Sequence, residues 1–204
     1  MDATHAPDAS LAQLRERVRS AGKRGVALRL RGAGSKDFYG ERLEGEVLEL
    51  AGHRGITAYE PSELVVTARC GTRLSELEET LAGHGQFLAF EPPRFRGDPT
   101  VGGAIAAGLS GPRRMYAGAA RDFVLGTRLL TAAGEELHFG GEVMKNVAGF
   151  DVSRLLCGSL GILGILTEVS LKVLPLPRAQ ATVRLAMPAE QAVQAFNRWA
   201  GQPL

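Results

Sequence analysis

Three glycine-rich clusters along the chain have the composition of loops that hold an anionic ligand. The longest covers residues 99–111 (PTVGGAIAAGLSG) and carries four glycines and no charged residue. Its Gly102-Gly103 pair can adopt positive φ and let the backbone approach a bound group. A helix beginning there would offer free backbone N–H groups and partial positive charge, which favour phosphate. A closely packed small-residue helix without a ligand is the alternative for this stretch alone.

The second cluster, residues 31–36 (RGAGSK), is predicted to be a turn that leaves a strand. It does not match the dinucleotide fingerprint G-x-G-x-x-G, because Asp37 stands at the third glycine position. A nest of backbone N–H groups with Arg31 and Lys36 beside it can nevertheless hold a diphosphate. The alternative is a strand-to-loop turn whose charges are solvated.

The third cluster, residues 158–164 (GSLGILG), has three glycines at a spacing of three. Such spacing favours a loop that lies against a flat ligand, with crowding against a neighbouring helix as the alternative. Two further positions could contribute to the same ligand. The Arg121-Asp122 pair could position a phosphate or ribose, although adjacent opposite charges are commonly a surface detail. Lys145 lies between two glycine-containing segments, which predicts that it faces a pocket.

The composition is that of an ordinary globular protein: 45% of the 204 residues are hydrophobic and 23% are charged. A net charge of +2 gives no indication of nucleic-acid binding. Cys70 and Cys157 are far apart and predict free thiols in a reducing compartment. The four histidines lack metal-ligand spacing, so we expect no metal site. With neither a signal-peptide pattern nor a bilayer-length apolar run, we expect a cytoplasmic protein.

Hydrophobic periodicity predicts a mixture of helices and strands. A first helix is expected over residues 11–21, with Ser10 as its N-cap and Gly22 at its end. The predicted strands cover residues 26–30, 46–50, 55–60, 64–70, 86–90, 124–131, 136–139, 162–174 and 182–187, and further helices cover 74–81 and 189–199. We divide the chain into a first lobe (1–54), a second lobe (55–177) and the beginning of another domain (178–204), because Pro175 and Pro177 mark a boundary.

Four segments in order closely resemble the FAD-binding domain of the vanillyl-alcohol oxidase/PCMH flavoprotein superfamily. They are LRGAGSK, PTVGGAIAAGLSGP, RDFVLGTRLLTAAGEEL and KNVAGFDVSRLLCGSLGILGILTEVSLKVLP, and the resemblance covers about residues 10 to 178. Within the superfamily the chain is similar to the FAD-binding subunits of glycolate oxidases. The resemblance implies an α+β fold, in which a two-lobed PCMH-type domain grips one extended FAD and is followed by the start of a truncated cap domain.

By that resemblance, the second cluster contacts the diphosphate through backbone N–H groups, and the start of the first cluster holds its other side and approaches the isoalloxazine. Arg121 and Asp122 would support the first cluster, and the third cluster would line the flavin and adenosine. The full set of expected cofactor-binding residues is Arg31, Gly32, Ala33, Gly34, Ser35, Lys36, Pro99, Thr100, Val101, Gly102, Gly103, Ala106, Arg121, Asp122, Lys145, Gly158, Gly161, Gly164 and Ile165.

The resemblance also implies an activity: a subunit or fragment of a glycolate or D-lactate-type 2-hydroxy-acid oxidising complex. Its partners would be a catalytic flavin subunit and an iron–sulfur subunit that receives the electrons, with peripheral attachment to the inner membrane through them. FAD is expected to bind non-covalently, since no histidine adjoins residues 34–36. The catalytic base is expected outside this chain, while Lys145 or Arg121 would stabilise reduced flavin.

Two alternatives remain open. One is a flavin-holding assembly module whose sister subunit oxidises the substrate. The other is a relative of NADPH-dependent peptidoglycan-precursor reductases, against which the segment 145–166 argues.

Overall fold

A computed structural model describes residues 9–42, 44–141 and 150–201. In these ranges helices and strands are interspersed along the chain. The helices are α1 (Ala9–Arg24), α2 (Leu74–Ala82), α3 (Val101–Ala107), α4 (Arg114–Ala117), α5 (Val152–Leu156) and α6 (Ala189–Ala200). The strands are β1 (Leu28–Arg31), β2 (Glu46–Glu49), β3 (Ile56–Glu60), β4 (Val65–Arg69), β5 (Gln86–Phe87), β6 (Val124–Leu130), β7 (Glu136–Gly140), β8 (Ile165–Lys172) and β9 (Leu174–Pro175).

The main sheet has five antiparallel strands in the order β3-β4-β8-β6-β7. Its central strand β8 is buried at six of its eight positions, as expected for a strand covered on both faces. Helices α2 and α3 supply the covering apolar side chains, including Leu77 and Ile105, which are fully buried with Val66 and Val169 of the sheet. This core holds α3 in place, and α3 forms one wall of the site described below.

A smaller unit consists of α1 and the parallel pair β1-β2. Leu14 and Val18 of α1 are buried with Leu48 of β2. The same apolar cluster includes Leu130 and Ile165, which end β6 and begin β8. The small unit therefore packs against one end of the main sheet, and the turn that follows β1 lies close to α3.

The mixed α and β content is confirmed, and most predicted elements are present with shifted ends. Ser10 does not cap α1; it lies inside the helix, and its hydroxyl is 2.6 Å from Nδ1 of His53. Nor does Gly22 end the helix, which continues to Arg24 before Gly25 adopts φ 63°.

The predicted strand over 162–174 begins only at Ile165, because Gly161 and Gly164 have φ of 81° and 144° and cannot be extended. Residues 86–90 pair only at Gln86–Phe87, since the chain turns at Leu88, whose carbonyl accepts from the Glu91 N–H.

The strand predicted over 182–187 is wrong. The described residues place no neighbouring strand beside it, and a strand without a ladder partner leaves its backbone groups to water. Helix α6 follows as predicted and buries none of its residues. The division into lobes and the cap domain stay predictions. Across the described ranges, no helix combines the length and apolar character needed to cross a bilayer.

Candidate functional site

The turn after β1 is closed by Asp37, the residue that breaks the dinucleotide fingerprint. Its N–H donates to the Gly34 carbonyl at 3.3 Å. Its carboxylate lies 3.1 Å from Nη2 of Arg29 and 3.2 Å from Nη2 of Arg31. Gly34 has φ 71°, and a Cβ there would lie 2.5 Å from Nη2 of Arg31. The loop is therefore folded tightly over the two arginines of β1, with glycine required at its apex.

Several hydrogen-bond donors of this loop have no partner among the described residues. Considering residues 9–42, 44–141 and 150–201, the backbone N–H groups of residues 32–36 donate no hydrogen bond. The ammonium group of Lys36 is shielded from solvent and also has no partner there. Burial lowers the pKa of Lys36, since a low-dielectric site disfavours the charged amine. Shielded donors normally find acceptors, so this arrangement favours an anionic ligand.

The first turn of α3 faces this loop. Thr100 caps the helix, with its hydroxyl oxygen accepting from the Gly103 N–H at 3.1 Å. A Cβ at Gly32 would clash with the same Thr100 hydroxyl, so the loop and the helix start are in direct contact. Gly103 is exposed and, with Ala106, presents a wall without bulky side chains.

The expectation of free N–H groups at the start of α3 is wrong. The Val101 N–H donates to the Thr72 carbonyl and the Gly102 N–H to the Cys70 carbonyl, both at 2.8 Å. Neither Gly102 nor Gly103 has positive φ. Glycine is required at position 102 because a Cβ there would lie 2.6 Å from the Cβ of Cys70. The helix start is thus fastened to the end of β4, and only its outer side faces the loop.

The third cluster is docked on the opposite end of α3. The Gly158 N–H donates to the Ile105 carbonyl at 3.0 Å, and the Leu160 N–H donates to the Ala106 carbonyl at 2.9 Å. A Cβ at Gly108 would lie 2.9 Å from the Cα of Gly158. Glycines here allow close backbone approach to a helix, which was the alternative interpretation of their spacing.

These three segments enclose one cleft of about 310 Å³. Its lining includes the whole second cluster together with one side of α3 and two residues of the third cluster. The lining residues are Leu30, Arg31, Gly32, Ala33, Gly34, Ser35, Lys36, Asp37, Tyr39, Gly40, Glu41, Arg42, Thr100, Gly103, Ala106, Ala107, Leu160 and Ile162. Gly161, Gly164 and Ile165 line a neighbouring cavity of about 260 Å³, and Leu30 and Ile162 belong to both.

Several expected residues lie elsewhere. Pro99, Val101 and Gly102 are buried behind the cleft wall and do not line it, and Gly158 faces α3. Asp122 accepts from the Ala119 N–H at 2.8 Å and so caps a short 3₁₀ helix.

Arg121 is exposed and outside the cleft. Lys145 lies outside the described residues, so its suggested role stays a prediction. The lining residues that sequence reasoning missed include Tyr39 and Arg42, which belong to no glycine motif, and Leu160, which lies inside the third cluster. Only proximity to glycines could have indicated them.

Comparison with known proteins connects this cleft to a family. A sequence model described as an FAD binding domain matches residues 8–140. The chain belongs to the FAD binding domain family. The resemblance to PCMH-type flavoproteins is therefore confirmed. FAD contains a diphosphate, and the residues present fit one. Around one cleft lie the N–H groups of residues 32–36 and the ammonium of Lys36, which have no partner within the described ranges, together with the open side of Gly103.

Three relatives of this FAD binding domain indicate its wider context. Glycolate oxidase subunit GlcE of Escherichia coli (strain K12) is 50% identical over 191 residues, covering 94% of this chain and 55% of that protein. Glycolate oxidase subunit GlcD of Bacillus subtilis (strain 168) is 32% identical over 141 residues, covering 69% and 30%. D-lactate dehydrogenase of Anaerostipes hadrus is 32% identical over 146 residues, covering 72% and 30%. The chain thus spans about half of the first relative and less than a third of the other two.

Proposed function

We propose that the chain holds one FAD non-covalently in the cleft between the 32–36 loop and α3. The observation that carries the proposal is the ammonium group of Lys36, which lines this cleft, is shielded from water and has no partner in the described part of the chain. Such a group is unfavourable unless an anion satisfies it. A diphosphate beside Lys36 and the loop N–H groups supplies that anion.

Each wall of the cleft then has a distinct task. The 32–36 loop donates backbone hydrogen bonds to the diphosphate, and Asp37 holds that loop on β1 through Arg29 and Arg31. Gly103 and Ala106 leave room beside α3 for a planar ring. Leu160 and Ile162, which are 45% and 85% exposed, give the cleft an apolar border. The adjoining cavity beside Gly161 and Gly164 takes the part of the ligand that extends beyond Ile162.

We further propose that the chain is the FAD-binding subunit, or a fragment of it, in a complex that oxidises glycolate or D-lactate. Bound FAD supplies the capacity to accept a hydride equivalent, while this chain provides binding, orientation and electrostatics. Support comes from relatives whose names are glycolate oxidase subunits and D-lactate dehydrogenase. A catalytic flavin subunit and an iron–sulfur subunit that takes up the electrons are the partners we propose.

The binding proposal is tested by titrating the purified chain with FAD and following the quenching of flavin fluorescence. Wild type and Lys172→Met should bind alike, because Lys172 lies on β8 away from the cleft, whereas Lys36→Met should bind more weakly. Equal affinity in all three proteins would refute the assigned site. Trichloroacetic acid should release all flavin into the supernatant, and yellow colour kept in the pellet would refute non-covalent attachment.

The activity proposal needs a separate assay. Glycolate-dependent reduction of a dye is measured for the chain alone, for the sister flavin subunit alone and for both together. Our proposal predicts that this chain's FAD is reduced by glycolate in the assembled complex. Substrate oxidation by the sister subunit with the FAD of this chain unaffected would favour the assembly-module alternative.

A further inference from the structure

The charges around the 32–36 loop nearly cancel. Arg29, Arg31 and Lys36 contribute three positive charges, and Asp37 and Glu49 contribute two negative ones. Asp37 binds both arginines at 3.1 and 3.2 Å, while Glu49 lies 3.5 Å from Arg31. Among the residues that the structure describes, Lys36 is therefore the one cation of this group without a carboxylate partner.

We propose that Asp37 is a specificity-determining residue that limits the cleft to ligands with a low phosphate charge, such as a diphosphate diester. It does so by neutralising Arg29 and Arg31, which would otherwise attract a further phosphate. This inference rests on the proposed function, because it concerns the same cleft and the same class of ligand.

The position of Asp37 supports this role. Its carboxylate is 37% exposed and Asp37 itself lines the cleft, so a ligand meets its negative charge directly. Arg31 also lines the cleft, and Nε of Arg29 has no hydrogen-bond partner among the residues described. The Arg31 guanidinium could therefore donate to an additional phosphate if Asp37 did not hold it, and Arg29, which does not line the cleft, adds positive charge behind it.

The other walls do not change this balance. Thr100, Gly103 and Ala106 of α3 carry no charge, and neither do Leu160 and Ile162 of the third cluster. In the segment after the loop, Glu41 and Arg42 line the cleft with opposite charges, and Glu44, which lies 3.3 Å from Arg42, is not a lining residue. Removing the charge of Asp37 leaves the two guanidinium groups of β1 opposed by Glu49, so the cleft becomes more cationic.

The test compares the binding of inorganic pyrophosphate and inorganic tripolyphosphate by calorimetry, at one pH and one ionic strength. Asp37→Asn keeps the side-chain shape and removes the charge. We expect it to raise the affinity for tripolyphosphate relative to pyrophosphate by about tenfold, since one close charge changes the attraction by roughly that factor in a partly solvated site. Glu46→Gln is the matched control. Glu46 lies on β2 and forms an exposed ion pair with Arg24 of α1, so its loss should leave the ratio of the two anion affinities equal to that of wild type.

Two further variants keep the test decisive. Glu49→Gln frees Arg31 from its weaker partner and should change the ratio in the same direction by a smaller factor, even if Asp37→Asn fails to fold. Adding Arg29→Gln to Asp37→Asn restores the charge balance and should return the ratio to that of wild type. An unchanged ratio of the two affinities in Asp37→Asn would overturn the inference. An equal loss of both affinities would also overturn it, because it would identify Asp37 as a purely structural residue.

Failure of the proposed function gives a different pattern. If wild type selects between the two anions as described but does not bind FAD, the proposed function is refuted and the charge limit stands. If FAD binds but the ratio of the two anion affinities is the same with and without the Asp37 charge, the charge limit is refuted and the proposed function stands. Absence of binding for both anions in wild type and Asp37→Asn overturns the inference.

Discussion

Replacing Lys36 by Met should stabilise the FAD-free protein and weaken FAD binding at the same time. The ammonium group is shielded and has no partner in the described ranges, so it opposes folding when no ligand is present. An unsatisfied buried polar group costs about 1–3 kcal/mol, and because part of the Lys36 side chain is exposed we discount this to about 0.5–1.5 kcal/mol. For a chain of this size, the midpoint of thermal unfolding should rise by about 2–4 °C per kcal/mol.

The same substitution removes a charged donor to the diphosphate. Hydrogen bonds to charged groups contribute about 1.5–3 kcal/mol, which predicts a dissociation constant for FAD about 10 to 100 times larger. Circular dichroism melting of the FAD-free protein and flavin fluorescence titration measure the two effects, with Lys172→Met as the control that should change neither. A lower melting midpoint in Lys36→Met would refute the reasoning, because it would mean that Lys36 stabilises the fold by itself.

Three further predictions concern pH, the α3 glycines and the thiols. Burial lowers the pKa of Lys36 and an anion favours its charged form, so FAD affinity should fall as pH rises through that pKa; titrations in which Lys36→Met keeps the same pH dependence would contradict this. Without ligand, the cost of burying the charged ammonium is complete below the lowered pKa of Lys36 and is relieved as pH rises from that pKa toward the unfolded value of 10.5. The free energy of unfolding of the FAD-free wild type should therefore increase over this pH range relative to that of Lys36→Met. Gly102→Ala should destabilise the fold by about 1–3 kcal/mol through collision with Cys70. Gly103→Ala should change the free energy of unfolding by less than about 1 kcal/mol but weaken FAD binding several-fold. Denaturant titrations that give equal losses of stability for the two variants would contradict the two assigned environments. Burial raises the pKa of Cys157 to about 11 and also raises that of Cys70. At pH 8 neither thiol should therefore react quickly with a disulfide reagent until guanidinium is added. A thiol that reacts rapidly in the folded protein would contradict this burial.

The parts of the site that depend on local sequence could be predicted. The loop at residues 32–36 follows from glycines after a short strand, and its backbone donors follow from that conformation. The hairpin of β6 and β7 and the helix α2 likewise follow from patterns within a few residues. These features depend only on residues that are close together in the sequence, so local patterns are sufficient to predict them.

The parts that depend on distant partners could not be predicted. The first N–H groups of α3 are occupied by carbonyls of Cys70 and Thr72, about thirty residues earlier, and no motif in residues 99–111 indicates this. Ser10 is of a residue type that commonly caps helices, but its hydroxyl pairs with His53 in the turn after β2. Asp37 was noticed only as a departure from a fingerprint, although its contacts with Arg29 and Arg31 fasten the loop to β1.

The account depends most on the position of the ligand, and a crystal structure of the chain grown with FAD measures it directly. We predict diphosphate density within hydrogen-bond distance of the N–H groups of residues 32–36 and of Nζ of Lys36. Density for the diphosphate on any other surface, with Lys36 still without a partner, would contradict the central claim.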